Sequence, residues 1–126
     1  MLRRLGFSGP VEEAILGRHG KHIGVLQAIW PPLLVAAAGI PLALQLIAPN
    51  SFYGVRTATT LESPEIWYRA NLYAGFAAVL SGTAASFINL MVVRSPRIQE
   101  WQKWWLTLAA TLIAVGAVVA AGLLAS

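Results

Sequence analysis

The distribution of charged residues constrains this chain more than any other feature. All nine basic and five acidic side chains fall within residues 1–21, 56–69 and 94–103, which leaves uncharged runs of 34, 24 and 23 residues. A helix needs roughly 20 consecutive, mostly apolar residues to cross the core of a bilayer. The sequence therefore predicts an all-α integral membrane protein with three transmembrane helices.

The composition excludes several classes of protein. Of the 126 residues, 57% are hydrophobic and 11% are charged, which is too apolar for a soluble enzyme domain of this length. Cysteine is absent, so disulfides and thiolate ligands are excluded. The net charge of +4 does not come from a dense basic patch with interleaved aromatic residues, and we expect no nucleic-acid partner. The partner expected from composition is the lipid bilayer.

The charged windows divide the chain into an arm and a membrane domain. The predicted organisation is a short cytoplasmic or interfacial arm over residues 1–22 and a three-helix membrane domain over residues 23–126, with spans at about 23–48, 70–93 and 104–125 and a polar loop over 49–69.

Basic residues near the spans predict the orientation of the chain. Four lie before span 1 and three lie between spans 2 and 3, whereas the loop after span 1 contains only Arg56 and Arg69. Basic residues that flank membrane spans are enriched on the cytoplasmic side. We therefore expect a cytoplasmic N-terminus and an external first loop.

Two Ser-Pro pairs predict where helices begin. Ser63, Pro64 and Glu65 provide an N-cap, a preorganised first helical position and an acid matched to the helix dipole, which predicts a helix from Pro64 to about Val93. Ser95 and Pro96 repeat the pattern and predict that the last helix begins at Pro96. Helices 2 and 3 should then form a tight antiparallel hairpin.

Span 1 contains Pro31, Pro32 and Pro41, each of which removes a backbone donor. The spacing predicts a kinked helix. Membrane helices tolerate such prolines where neighbouring groups satisfy the freed carbonyls, so the prolines indicate either a packed kink or a hinge or cavity wall.

A stripe of small residues follows one face of the second span. Such stripes let another backbone approach closely, either within one chain or in a partner subunit, so a homo-oligomer is compatible with the sequence. Asn89, Thr83 and Ser86 can hydrogen-bond across this interface. The predicted helix-packing residues are Ala74, Ala78, Gly82 and Ser86.

The polar loop contains the densest group of specific side chains. Asn50 and Gly54 suit a tight turn, and Arg56 offers five donors to carboxylates or helix-end carbonyls. The expected carboxylate partners of Arg56 are Glu62 and Glu65. The loop is interpreted either as a self-satisfied cap over the helix ends or as a binding site.

The ordered run of Asn50, Gly54-Val55-Arg56-Thr57, Thr60-Leu61, Trp67 and Asn71 resembles the signature of the SdpI family of bacterial integral membrane proteins. The resemblance implies location in the bacterial inner membrane, immunity against a membrane-active peptide toxin and relay of the toxin's presence to a repressor held at the membrane. It also implies a ligand- or partner-binding loop made of Asn50, Gly54, Arg56, Thr57, Thr60, Trp67 and Asn71.

Other functions are less well supported by the residues. His19 and His22 form a poor zinc set without cysteines, and no nucleophile lies beside a candidate base, so we expect no catalytic residue, metal or cofactor. The alternative to an immunity protein is a structural accessory subunit of a larger membrane complex. A small transporter ranks last because the spans contain no charged residue.

Overall fold

A computed structural model describes residues 23–126, and the predicted arm with His19 and His22 lies outside the described residues. Over residues 23–126 the structure is helical and contains no strand. Three of its helices are long and apolar enough to cross a membrane, which confirms the predicted all-α membrane fold. The helices are α1 (Val25–Ala43), α2 (Ala58–Glu62), α3 (Pro64–Arg94) and α4 (Glu100–Ala125).

Helix α3 is the centre of the bundle, and α1 and α4 both run antiparallel to it. The start of α1 lies beside the end of α3, where the Ser86 hydroxyl donates to the Ile29 carbonyl. The end of α4 lies beside the start of α3, where Arg69 Nε donates to the Ala125 carbonyl at 3.1 Å. Helices α1 and α4 contact each other much less than either contacts α3. Each outer helix therefore depends on α3 for its position.

Helix α3 begins where the sequence predicts. Ser63 is the N-cap, and its Oγ accepts a hydrogen bond from the Ile66 backbone at 3.5 Å. Pro64 occupies the first helical position, and Glu65 lies in the first turn. The helix continues to Arg94, one residue beyond the predicted end, and Arg94 places a cation near the negative end of the helix dipole.

Helix α4 begins at Glu100, so the predicted start at Pro96 is wrong. Ser95 is the C-cap of α3 and is held extended before Pro96, and it therefore does not act as an N-cap. Gln99 caps α4 instead, because its backbone N–H donates to the Gln102 side chain at 3.0 Å. The turn between the helices remains short, and α3 and α4 form the predicted antiparallel hairpin.

Helix α1 ends at Ala43, five residues before the predicted limit of the span. Gln45 adopts a left-handed conformation with φ of 55°. Its backbone N–H donates to Leu42 O and that of Leu46 donates to Pro41 O, both at 3.0 Å. This pair of bonds is the Schellman motif, which satisfies the last carbonyls of a helix and turns the chain away from its axis.

Replacing Gln45 with glycine should stabilise the protein. A residue with a Cβ is strained by roughly 1–2 kcal/mol in the left-handed region, whereas glycine adopts it freely. We expect Gln45→Gly to raise the free energy of unfolding in detergent by about 1 kcal/mol. Gln45→Ala keeps the strain and is the control, and an equal gain in both variants would contradict this explanation.

The contact between α1 and α3 is made by small residues. A Cβ placed on Gly39 would lie 2.5 Å from Ala78 Cβ, and one on Gly82 would lie 2.5 Å from the Pro32 carbonyl. The predicted packing residues of α3 are all buried, and α1 provides their neighbours within the same chain. These residues are Ala74, Ala78, Gly82 and Ser86.

Adding one methyl group at this contact should separate the helices. A Cβ on Gly75 would overlap backbone atoms of Ala43, and these atoms cannot move away as the end of a flexible side chain can. We expect Gly75→Ala to lower the free energy of unfolding in detergent by about 1–3 kcal/mol. Gly116→Ala is the matched control, because nothing lies within 4 Å of a Cβ there and alanine favours the helix. Equal destabilisation of both variants would count against a close backbone contact.

Candidate functional site

The side chain of Asn50 stabilises the first turn of the loop between α1 and α3. Its Oδ1 accepts from the backbone N–H groups of Phe52 and Tyr53, both at 2.8 Å. Its Nδ2 donates to the carbonyls of Ala48 at 2.8 Å and Tyr53 at 3.3 Å. One amide side chain therefore satisfies four backbone groups, and this fixes the turn that follows α1.

Trp67 and Asn71, on the first two turns of α3, attach the loop to the helix bundle. Trp67 is completely buried, and its indole N–H donates to the Ile47 carbonyl at 3.0 Å. Asn71 Oδ1 accepts from the Val55 N–H at 2.6 Å, while its Nδ2 donates to the Trp67 carbonyl at 2.9 Å. The two side chains thus hold both halves of the loop.

Gly54 is required by the approach of the loop to Asn71. Its φ is +104°, and a Cβ at this position would overlap Asn71 Oδ1. The next residue, Val55, reaches α4, where its side chain fills the space that a Cβ on Gly122 would occupy. The loop therefore contacts the ends of both α3 and α4.

Thr57 and Thr60 form the cap of the short helix α2. Thr57 Oγ1 accepts from the Thr60 N–H at 3.1 Å, and Thr60 Oγ1 accepts from the Thr57 N–H at 2.7 Å. The Thr60 hydroxyl is fully buried and lies 3.2 Å from the Val55 carbonyl. Because Val55 also pairs with Asn71, the α2 cap and the α3 attachment belong to one hydrogen-bonded network.

Arg56 differs from the other predicted loop residues because its side chain is exposed. Its Nη1 donates to the Ser51 carbonyl, so the expected ion pair with Glu62 or Glu65 is not formed. A backbone carbonyl holds one side of the guanidinium in place of a carboxylate. The other N–H groups of Arg56 have no partner within residues 23–126, and the side chain is exposed.

Tyr53 was not singled out by the sequence. Its hydroxyl donates to the Ala38 carbonyl of α1, and burial raises its pKa above the usual value of 10.0. The hydroxyl therefore remains a donor at any physiological pH. No local pattern identifies this contact, because its acceptor is a backbone carbonyl 15 residues earlier in the chain.

The structure brings the predicted loop residues together as one unit, which we call the loop cap. Six of these residues are buried or half-buried and take part in the contacts within the loop, whereas Arg56 is exposed on its outer surface. The loop cap consists of Asn50, Gly54, Arg56, Thr57, Thr60, Trp67 and Asn71. It also includes Val55, which lies in the signature run but not among the predicted site residues, and Tyr53, which the sequence does not indicate.

Comparison with known protein families gives a match to the SdpI/YfhL protein family over residues 46–122, which is more than half of the chain. The chain belongs to the SdpI/YfhL family. The matched segment contains the whole loop cap, α3 and most of α4, whereas α1 precedes it. No curated protein and no solved structure gave a significant match. The SdpI/YfhL signature thus covers the loop cap and the hairpin to which it is attached.

Removing the Asn71 side chain should release the loop cap from α3. Asn71→Ala leaves the Val55 N–H without its acceptor, and loss of a buried partner costs about 1–3 kcal/mol. We expect trypsin to cleave after Arg56 roughly ten-fold faster in this variant, measured by mass spectrometry of the detergent-solubilised protein. Thr83→Ala removes an exposed polar group from the same helix and is the control. An unchanged cleavage rate in Asn71→Ala would show that other contacts hold the loop.

Proposed function

We propose that this chain is an SdpI-like immunity protein that protects the bacterial inner membrane from a membrane-active peptide by binding it at the loop cap. The observation that supports this proposal most directly is the exposed Arg56 guanidinium on a hydrogen-bonded loop. Family membership supports an SdpI-like membrane protein, and the immunity role is our proposal. The proposed activity is binding, without a catalytic step.

The chemistry around Arg56 suits an amphipathic peptide. The guanidinium offers a planar set of donors to a peptide carbonyl, a carboxylate or a lipid headgroup. Phe52 is 93% exposed and directly follows Ser51, whose carbonyl holds Arg56. The loop therefore exposes both an apolar ring and a cation, and a peptide with apolar and polar faces can contact both. Because the loop is already ordered, binding costs little conformational entropy.

Contacts beneath Arg56 offer a route for signal relay. The neighbouring Val55 pairs with Asn71 on α3 and packs against Gly122 on α4. A peptide that displaces the backbone at Arg56 would therefore act on both helices of the hairpin. We include this relay in the proposal as the second role of the loop cap.

The test is survival of bacteria that express the protein under challenge by the family's membrane-active peptide toxin. We expect Arg56→Ala to abolish protection and Arg56→Lys to weaken it by about ten-fold, because lysine cannot form the same planar pair of hydrogen bonds. Arg97→Ala is the matched control, since Arg97 is an exposed arginine in the turn between α3 and α4. All variants should reach equal amounts of folded protein. Wild-type protection by Arg56→Ala would exclude Arg56 as the contact.

A structural accessory subunit is the second candidate, and the exposed surface of α4 favours it. Gly116 lies on this surface with nothing within 4 Å of a Cβ, so another helix could approach its backbone closely. Purification from native membranes in mild detergent separates the two functions. A stoichiometric larger partner would favour the accessory subunit, whereas a small particle without partners would favour the immunity protein.

A further inference from the structure

A second polar centre lies at the opposite end of α3 from the loop cap. Asn89 is completely buried, and its Nδ2 donates to the Ala28 carbonyl of α1 at 2.8 Å. The same nitrogen lies 3.3 Å from Thr111 Oγ1 on α4. These contacts fix the orientation of the amide, because Oδ1 in place of Nδ2 would face the Ala28 carbonyl without a proton between them.

The other atom of this amide is unsatisfied. Asn89 Oδ1 is the one buried side-chain nitrogen or oxygen without a hydrogen-bond partner among residues 23–126. A buried acceptor of this kind is costly, and in lipid no bulk water is available to satisfy it. Such an atom in a native protein needs an explanation, and a donor from outside residues 23–126 provides one.

Asn89 lines a cavity of about 430 Å³ between the first turns of α1 and α4. This volume lies within the range of about 300–1,000 Å³ that is typical of small-molecule sites. The cavity exists because α1 and α4 barely touch each other. Pro31 and Leu108 provide apolar walls, and Trp104 and Trp105 lie at the end where α4 begins.

The position of Asn89 indicates what kind of donor can reach it. Asn89 lies five residues before Arg94, the last residue of α3, which corresponds to about 7.5 Å along the helix. The interfacial region on each side of a bilayer is roughly 5–8 Å thick, so this depth matches the glycerol level of a lipid. None of the described residues that line the cavity is charged, which favours a neutral group over a phosphate.

We propose that this cavity binds a neutral diacylglycerol-type lipid, whose free hydroxyl donates to Asn89 Oδ1 while one acyl chain lies along Pro31 and Leu108. The hydroxyl supplies the donor that residues 23–126 do not provide, and the acyl chain covers the apolar walls. This site is separate from the loop cap and does not depend on the immunity role.

The test uses dioleoylglycerol with a diazirine in one acyl chain, photo-crosslinked to the purified protein in nanodiscs and mapped by mass spectrometry. We expect crosslinks on the cavity walls contributed by α1 and α4. Leu108→Trp fills the cavity from a half-exposed wall position and should reduce the yield at least about five-fold. The matched control is Leu112→Trp, one turn further along α4 and outside the cavity. It should change the crosslinking yield less than about two-fold.

Competition by unlabelled lipids tests the hydroxyl itself. In wild-type protein, dioleoylglycerol should compete about three- to ten-fold better than its acetate ester, which lacks the donor. Dioleoylglycerol should also compete better than phosphatidylglycerol by a similar factor, because none of the described residues that line the cavity offers a cation to the phosphate. In Asn89→Ala, dioleoylglycerol and its acetate should become equivalent. This comparison uses the ratio between two competitors measured on the same variant protein. A partial loss of stability in Asn89→Ala therefore does not prevent it.

Three results would overturn the proposal. Equal competition by dioleoylglycerol and its acetate in wild-type protein would show an acyl groove without hydroxyl recognition. Equal or better competition by phosphatidylglycerol would exclude the neutral lipid. Crosslinks of similar yield in Leu108→Trp and Leu112→Trp would show ordinary lipid contact around the helices.

Discussion

The backbone-to-backbone contact of α1 with α3 determines the rest of the structure. In lipid, apolar side chains gain little by leaving the solvent for one another, so helices associate through close packing and hydrogen bonds. Gly39, Gly75 and Gly82 provide that packing, because a methyl group on any of them would overlap the facing helix. The contact places the end of α1 next to the start of α3, where the loop must reverse direction. The loop cap can therefore be compact and linked to both helices.

The packing of α3 against α1 also explains how α1 tolerates Pro32. Pro32 removes the donor that would otherwise serve the Ala28 carbonyl four residues earlier, and Asn89 donates to that carbonyl instead. The buried amide of Asn89 thus replaces a lost backbone bond. Pro31 lines the cavity beside Asn89, so the two interpretations of the prolines, packing and cavity wall, apply to adjacent residues.

The sequence predicted those features that depend on neighbouring residues. Ser63 and Pro64 begin α3 as expected because a cap and its first turn are local, whereas Ser95 was misassigned because it already ends the preceding helix. The sequence leaves the partner of Arg56 open between the carboxylates of Glu62 and Glu65 and a helix-end carbonyl. The partner is the Ser51 carbonyl in the loop itself, and a backbone carbonyl is a group that no sequence pattern marks. Trp67 and Asn71 were recognised from a family signature, but their acceptor and donor at Ile47 and Val55 became visible only in three dimensions.

Helix α3 also relates the loop cap to the cavity. Asn71 and Asn89 lie 18 residues apart on this helix, which separates the two centres by about 27 Å. Helices α1 and α3 touch through backbone atoms. Helix α4 is held by fewer contacts, and it meets the loop cap through Gly122 at one end and borders the cavity through Leu108 towards the other. In the proposed relay, a displacement of Val55 would therefore reach α4 directly through its contact with Gly122.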